Sequence, residues 1–320
     1  MCQDISRAVW VDAKREDILD VPYFHVVFTL PAELNSLIYR NQEELYGLLF
    51  KSASDTLSEM LYDSRYLGGQ PGFLCVLHTW GQELNYHPHL HCIVTGCAYS
   101  PLGNCVTGKE DYLLPVRALS KKFRGKYLDG LKRSYEGGHL RCAGCEAEGS
   151  VQFQALLDAC YGKKWCPYIK DGFHDTSAVL EYLGRYTHRI AISNRRILGI
   201  EGEDVVFRAK DYRKKGAEKT VRLDGVEFVR RFLMHVLPPG FRKIRAYGLM
   251  SSRCHAKLEA CRKQLGCQKQ KSRLKGKSMS EVLWILYQTD ICRCQECASG
   301  KLEQRKIKSF HSRDRPCNGR

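Results

Sequence analysis

The chain has 320 residues, 43% of them hydrophobic, enough for one large domain or two modest ones, which excludes a disordered tail. Its formal charge of +16 is unevenly placed: residues 1–240 hold 31 Lys and Arg against 29 Asp and Glu, whereas 241–320 hold 20 against 6. A basic excess of that density is the footprint of a polyanionic partner, and without the long amphipathic Trp/Phe/Leu face of a membrane-surface helix it points to nucleic acid. Neither a secretory leader nor a membrane span is expected, because "MCQDISRAVWVDAKRED" has no apolar run behind a basic start and no stretch of roughly 18 apolar residues occurs. A cytoplasmic setting follows, where the sixteen cysteines are read as thiols or zinc ligands and not as disulfides.

In chain order, "YFHVVFTLP" (23–31) is a β-branched and aromatic run stopped by Pro31 and reads as a strand; residues 32–63 then carry helical periodicity over two or more helices. "GFLCVLHTWGQ" (72–82) and "PHLHCIVTGC" (88–97) are strands joined by the polar "ELNY", a hairpin. "VRALSKKFRGKYLDGLKRSYEGG" is a basic helix ended by glycines, and "WCPYIK" is a short strand. Asp175, Thr176 and Ser177 are cap residues for a helix that begins "AVLEYLGRYTHRIAI". Residues 192–228 alternate short apolar runs with charged turns, the pattern of a small antiparallel β-meander. "VEFVRRFLMHVLPPG" is a helix stopped by Pro238, Pro239 and Gly240.

Two constellations carry chemistry. In "YHPHLHCIV" (86–94) the strand period sends His87, His89 and His91 to one face and Leu90, Cys92 and Val94 to the other. Neutral imidazoles two residues apart on a pleated strand can reach one divalent ion. In "EYLGRYTHR", Tyr182 and Tyr186 leave one face of a helix about a turn apart, and Arg185 and Arg189 form a second pair with the same spacing. Each pattern alone is ordinary: a polar strand face in the first case, packing in the second. Together they suit phosphodiester chemistry, because a phenol with a pKa near 10 attacks a phosphate only with help from a metal or base.

"FHVVFTLP", "LHTWGQELNYHPHLHCIV", "YLGRYTHRIAIS" and "FVRRFLMHVLPPGFRKIRAYG" resemble, in order and spacing, the two-tyrosine rolling-circle transposases of the insertion-sequence ninety-one family, within the HUH nuclease superfamily. The resemblance runs from about residue 20 to residue 265. It implies an α+β, HUH endonuclease-like fold: a central antiparallel sheet flanked by helices, with the His pair on a middle strand and the tyrosine helix beside it. It implies that His89 and His91 hold a divalent metal, Mg or Mn, and that Tyr182 and Tyr186 are nucleophiles for single-stranded DNA at element ends and target, in a bacterial-type cytoplasm at the nucleoid. Superfamily sites add a third polar ligand, often from the preceding strand. Gln82 is the expected one because it is nearer the turn, with His78, of equal parity, as the alternative. His87, before Pro88, is expected to contact phosphate or support the ligands; Arg185 and Arg189 are expected to bind DNA, and His188 is a further site candidate.

The implied organisation is a remnant of an N-terminal zinc module or a linker (1–20), the nuclease core with the tyrosine helix (21–195), a β-meander with a helical extension (196–267) and a basic, partly helical tail (268–320). Family members begin with a cysteine-rich zinc module, of which Cys2 would be the remnant here. In the tail, Cys292, Cys294 and Cys297 form a candidate structural-zinc knuckle whose remaining ligands could come from Cys254, His255, Cys261, Cys267 or Cys317. Cys142 and Cys145 make a weaker lone pair. Two other readings stay open: a plasmid replication initiator or relaxase with the same chemistry, and a catalytically silent DNA-binding remnant.

Overall fold

The structure is a computed structural model that describes residues 2–302 except 146, 166, 174–175, 188–190, 212–215, 295 and 298; for residues 2–4, 170–173, 176 and 185–187 it describes the backbone alone. Its centre is an antiparallel sheet of strands β1 (Tyr23–Thr29), β2 (Gln70–Trp80), β3 (Tyr86–Tyr99), β4 (Cys105–Thr107), β5 (Tyr168–Phe173) and β9 (Ile244–Gly248). The order is β5-β1-β3-β2-β9, with β4 paired to β3. Both faces are covered, which is why the central strands read as almost continuous apolar runs. On one face Phe24, Val26, Phe28, Phe73, Leu77, Leu90, Cys92 and Val94 pack against helices α2 (Asn35–Arg40), α3 (Gln42–Tyr62), α4 (Val116–Glu136) and α5 (Ser150–Gly162). On the other face Tyr23, Leu74, Val76 and Ile93 pack against Val179, Leu180 and Leu183 of α6 (Thr176–Thr187).

A second sheet, β6 (Ile197–Glu201), β7 (Asp204–Asp211) and β8 (Ala217–Asp224), is the expected meander, followed by α7 (Gly225–Leu233). Buried Phe207 of β7 meets Leu84, Ala191 and Ile192, with Trp80 and Phe228 beside them. The meander thereby clamps the β2–β3 turn. Leu84 in that turn has φ of 61°, a left-handed backbone that costs a branched residue roughly 1–2 kcal/mol and is held by its burial.

The structure departs from the sequence reading at two places and extends it at a third. Residues 2–14, expected as a linker or zinc-module remnant, form helix α1 (Cys2–Lys14). Its apolar side chains are split between two neighbours, Trp10 and Val11 against the α6 side of the sheet and Ile5, Ala8 and Val9 against Leu274, Val282 and Leu283, so no single stripe marks it. "KIRAYG", which the sequence reading left inside the segment 196–267 of meander and helical extension without assigning it a strand, supplies the edge strand β9, because Ile244 and Ala246 pair opposite Val76 and Leu74 of β2. The described part of the basic segment after 267, expected to be partly helical, packs back on the fold: α8 (His255–Gln264) leads to a loop at 272–274 and to α9 (Met279–Tyr287), both packed on α1. Among the described residues no helix is long and apolar enough to cross a membrane.

The lock on this arrangement is Asp12. Its Oδ2 accepts from the Ser272 hydroxyl at 2.6 Å and from the N–H groups of Arg273 and Leu274 at 2.7 and 2.8 Å. Burial pushes the carboxyl up, but the Ser272 hydroxyl, the Leu274 and Arg273 N–H groups and the Arg15 guanidinium together hold it below the ordinary carboxylate range. A depressed folded-state pKa stabilises above the unfolded value of about 4 and ceases to do so as pH falls through the folded value. Asp12→Ala is expected to cost about 1–3 kcal/mol at pH 7, with a smaller penalty near pH 3, measured by urea denaturation at both values.

Candidate functional site

The β2–β3 register sets the site. His78 stands directly opposite His89, and His91 follows two residues along β3 on the same face. The turn beyond them is pinned by His235, whose Nδ1 is 3.2 Å from the Thr79 hydroxyl and whose Nε2 donates to the Leu84 carbonyl at 3.1 Å. Trp80 stacks on His78, with ring centroids 4.6 Å apart. The nitrogens of His78, His89 and His91 lie within 4.8 Å of one another, the one such group of three His, Cys, Asp or Glu residues among the described residues. The Nε2 atoms of His89 and His91 are 3.1 Å apart.

A backbone carbonyl can only accept, so the 2.7 Å contact between His89 Nδ1 and the His87 oxygen puts the proton on Nδ1 and leaves the Nε2 lone pair facing His91. Burial holds the His89 imidazole down at about 4, against the opposing effect of that hydrogen bond. His89 is therefore neutral, the form in which imidazole binds metals. Three converging imidazoles, one of them held neutral and in a fixed tautomer, fit a divalent cation that accepts nitrogen donors.

The tyrosine helix α6 docks beside this cluster through Val179, Leu180 and Leu183. Tyr182 is 8% exposed and its hydroxyl is 3.4 Å from His91 Nδ1. Tyr186 lies one turn further along α6; its side chain and that of Arg185 fall outside the described residues, as do His188 and Arg189 altogether. Next to Tyr182 stands His25 of β1, whose Nε2 is 2.9 Å from His91 Nδ1. The sequence reading missed His25: a single histidine in "YFHVVFT" carries only its odd polarity as a signal.

The other expected residues are placed differently. Gln82 lies past the end of β2, in the turn, where its side-chain oxygen accepts from the Lys210 N–H at 3.4 Å and its backbone carbonyl accepts from Arg196. It faces the meander, and the residue of the preceding strand that meets His89 and His91 is His78. His87 is half-buried at the edge of the cluster, with burial lowering its pKa, and supplies the carbonyl that orients His89. In the candidate knuckle, the Gly300 N–H donates to Cys297 Sγ at 3.3 Å and the Cys294 N–H to the Gly300 carbonyl at 2.8 Å. The Gly300 N–H and the Cys294 side chain lower the Cys297 thiol pKa. Cys292 is exposed, and its carbonyl accepts from Leu302. Cys261 is buried elsewhere, against Leu19, Cys97 and Leu258, and Cys317 falls outside the described residues. The Cys145 thiol donates to the Cys142 carbonyl at 3.0 Å.

The protein is α+β, and its central antiparallel strand carries a His-hydrophobic-His pair with a third histidine across the hairpin, an HUH-like triad, with the helix bearing Tyr182 alongside. Residues 72–257, more than half of the chain, match the family described as "Putative transposase", and the chain belongs to that family. It is 44% identical over 269 residues to the "Putative transposase y4qJ" of Sinorhizobium fredii (strain NBRC 101917 / NGR234), covering 83% of this chain and 68% of that protein. It is 27% identical over 259 residues to the "Transposase for insertion sequence element IS801" of Pseudomonas savastanoi pv. phaseolicola, covering 76% of this chain and 58% of that protein. No solved structure matches it. The motif resemblance read from the sequence thus agrees with the family and with relatives that bear transposase names.

The geometry discriminates between the two candidates for third ligand. His78→Ala is expected to weaken Mn2+ binding by tenfold or more, on the order of one lost metal–nitrogen bond, whereas Gln82→Ala leaves it unchanged; calorimetric titration of the metal-free proteins reads the difference.

Proposed function

We propose that the chain nicks and transfers single-stranded DNA in rolling-circle transposition, with a divalent ion held by His78, His89 and His91 and with tyrosine nucleophiles. The observation that carries this reading is the Tyr182 hydroxyl, buried beside a convergent imidazole cluster at 3.4 Å from His91. Family membership and the transposase relatives support the same reading.

A phosphodiester resists attack while its oxygens keep their charge. When bound, the ion supplies neutralisation of those oxygens and orientation of the ester for in-line attack. The Tyr182 oxygen attacks phosphorus while the bond to the 3′ oxygen breaks; the phenol loses its proton and the departing 3′ oxygen takes one up to leave as a hydroxyl, so the proton balance closes while the 5′ phosphate stays on the tyrosine. The phosphotyrosine ester conserves the bond energy, so rejoining to a target needs no nucleotide cofactor. Tyr186, one turn away on α6, can take a second 5′ end while the first is held. Of the two expected ions, Mn suits three nitrogen donors better than Mg, which prefers oxygen ligands and retains its water.

Arg185 and Arg189 are proposed to contact the DNA backbone, as are the basic residues 303–320, which hold six Lys and Arg against two acids. Cys294 and Cys297 are proposed as half of a structural zinc site, on the knuckle-like hydrogen bonding around Cys297.

Tyr182→Phe and Tyr186→Phe singly should each permit some covalent attachment to a short oligonucleotide in the presence of Mn2+, and the double change should abolish it without altering the melting temperature. Attachment accounted for by one tyrosine alone, with transposition undamaged by loss of the other, would favour a relaxase or replication initiator. Absence of attachment in the unaltered protein would favour a silent DNA-binding remnant. Removing residues 303–320 should flatten the slope of log affinity for single-stranded DNA against log salt by up to about 4, read by fluorescence anisotropy over a salt series.

A further inference from the structure

Residue His25 is 7% exposed, in a strand whose neighbours Phe24, Val26 and Phe28 are core. A buried imidazole has to be hydrogen-bonded to be tolerated there. It pairs opposite Ile93 of β3, two residues from His91 and on the same face. Its Nε2 is 2.9 Å from His91 Nδ1, its ring stacks on that of His91 at 5.2 Å with 18° between planes, and it lies 4.7 Å from the Tyr182 ring. One side chain therefore touches both a candidate ligand and the candidate nucleophile.

The direction of the His25–His91 bond follows from the cluster. His89 presents its Nε2 lone pair inward because Nδ1 is committed to the His87 carbonyl. His91 turns its own Nε2 to the same point, 3.1 Å away. For that nitrogen also to act as a donor to a cation, the His91 proton must sit on Nδ1, and a proton there needs an acceptor in a largely buried setting. His25 Nε2 is placed to be that acceptor, with its own proton on Nδ1. Both rings are then neutral, and no proton is left over.

We propose that His25 is a positioning residue of the histidine cluster, its Nε2 accepting the His91 Nδ1 proton and so fixing the ring orientation and tautomer in which His91 Nε2 faces His89. This rests on reading His78, His89 and His91 as a ligand set. His25 acts through His91 and is not itself a ligand: its Nε2 is spent on that bond.

The test uses the full chain, freed of metal and titrated with Mn2+ under electron paramagnetic resonance, for the unaltered protein and for His25→Gln, His25→Asn and His91→Ala. The glutamine amide reaches the place of Nε2 and can accept from His91; the asparagine amide reaches only the place of Nδ1. His25→Asn should weaken Mn2+ binding about 10- to 100-fold while His25→Gln stays within about threefold of the unaltered protein, with similar melting temperatures for the two. A merely space-filling role would not separate two amides of nearly equal polarity. Unaltered binding in His25→Asn, or equal weakening in both, overturns the proposal while leaving the ligand set standing. Failure of the unaltered protein to bind Mn2+, or indifference to His91→Ala, overturns the ligand set and this proposal with it.

Discussion

The site depends on the register of one antiparallel pair. With β2 and β3 aligned so that Cys75 meets Cys92, Leu77 meets Leu90 and His78 meets His89, every second residue of the hairpin enters the α3–α4 core and the alternating ones face α6. Because side chains alternate with a period of two, a slip of one residue would drive three imidazoles into that core and turn its leucines to the α6 face. The apolar partners oppose the slip: each of these fully buried side chains contributes about 1.5–3 kcal/mol, and burying histidines unpaired would add a further cost. The imidazoles are thus brought together by packing on the opposite face, not by any attraction among themselves.

The second requirement is that a tyrosine meet the cluster. Helix α6 contributes Val179, Leu180 and Leu183 to the sheet face, and α1 completes the contact with Trp10 and Val11. Tyr182 then falls beside both His25 and His91. The meander acts at the other end of the site, where Phe207 and its neighbours bury Leu84 and hold the turn that follows His78. The histidine-bearing strand, the helix carrying Tyr182 and the turn are each fixed by a separate apolar cluster, so the polar centre is preorganised by its surroundings.

Strands β1 to β3, the meander and the tyrosine helix were legible because each has one strong period and a clear punctuator, such as Pro31 or the glycines after α4. The third member of the cluster was ambiguous since His78 and Gln82 share parity, and sequence does not show that β2 ends at Trp80 with an irregularity between His78 and Trp80. His25 looked like core because it is surrounded by core. Helix α1 serves two neighbours and so lacks a single apolar stripe, and β9 is five residues long, too short to show a period beside the proline-glycine turn. What escaped the sequence was therefore whatever depends on residues far away along the chain.

The union of α1 with residues 272–274 has a temporal side. Asp12 finds its hydrogen-bond donors about 260 residues later, and Arg262 caps the carbonyls of Glu16 and Ile18 from nearly as far. At roughly 5–20 residues per second on the ribosome, α1 waits about 13–50 s for these partners. Until they emerge, the nascent chain lacks the bonds that seat α1, and with α1 unseated the helix bearing Tyr182 is missing one wall of its socket. Assembly of this centre is thereby tied to the synthesis of residues 262–274, so a polypeptide released before them is born without a finished centre.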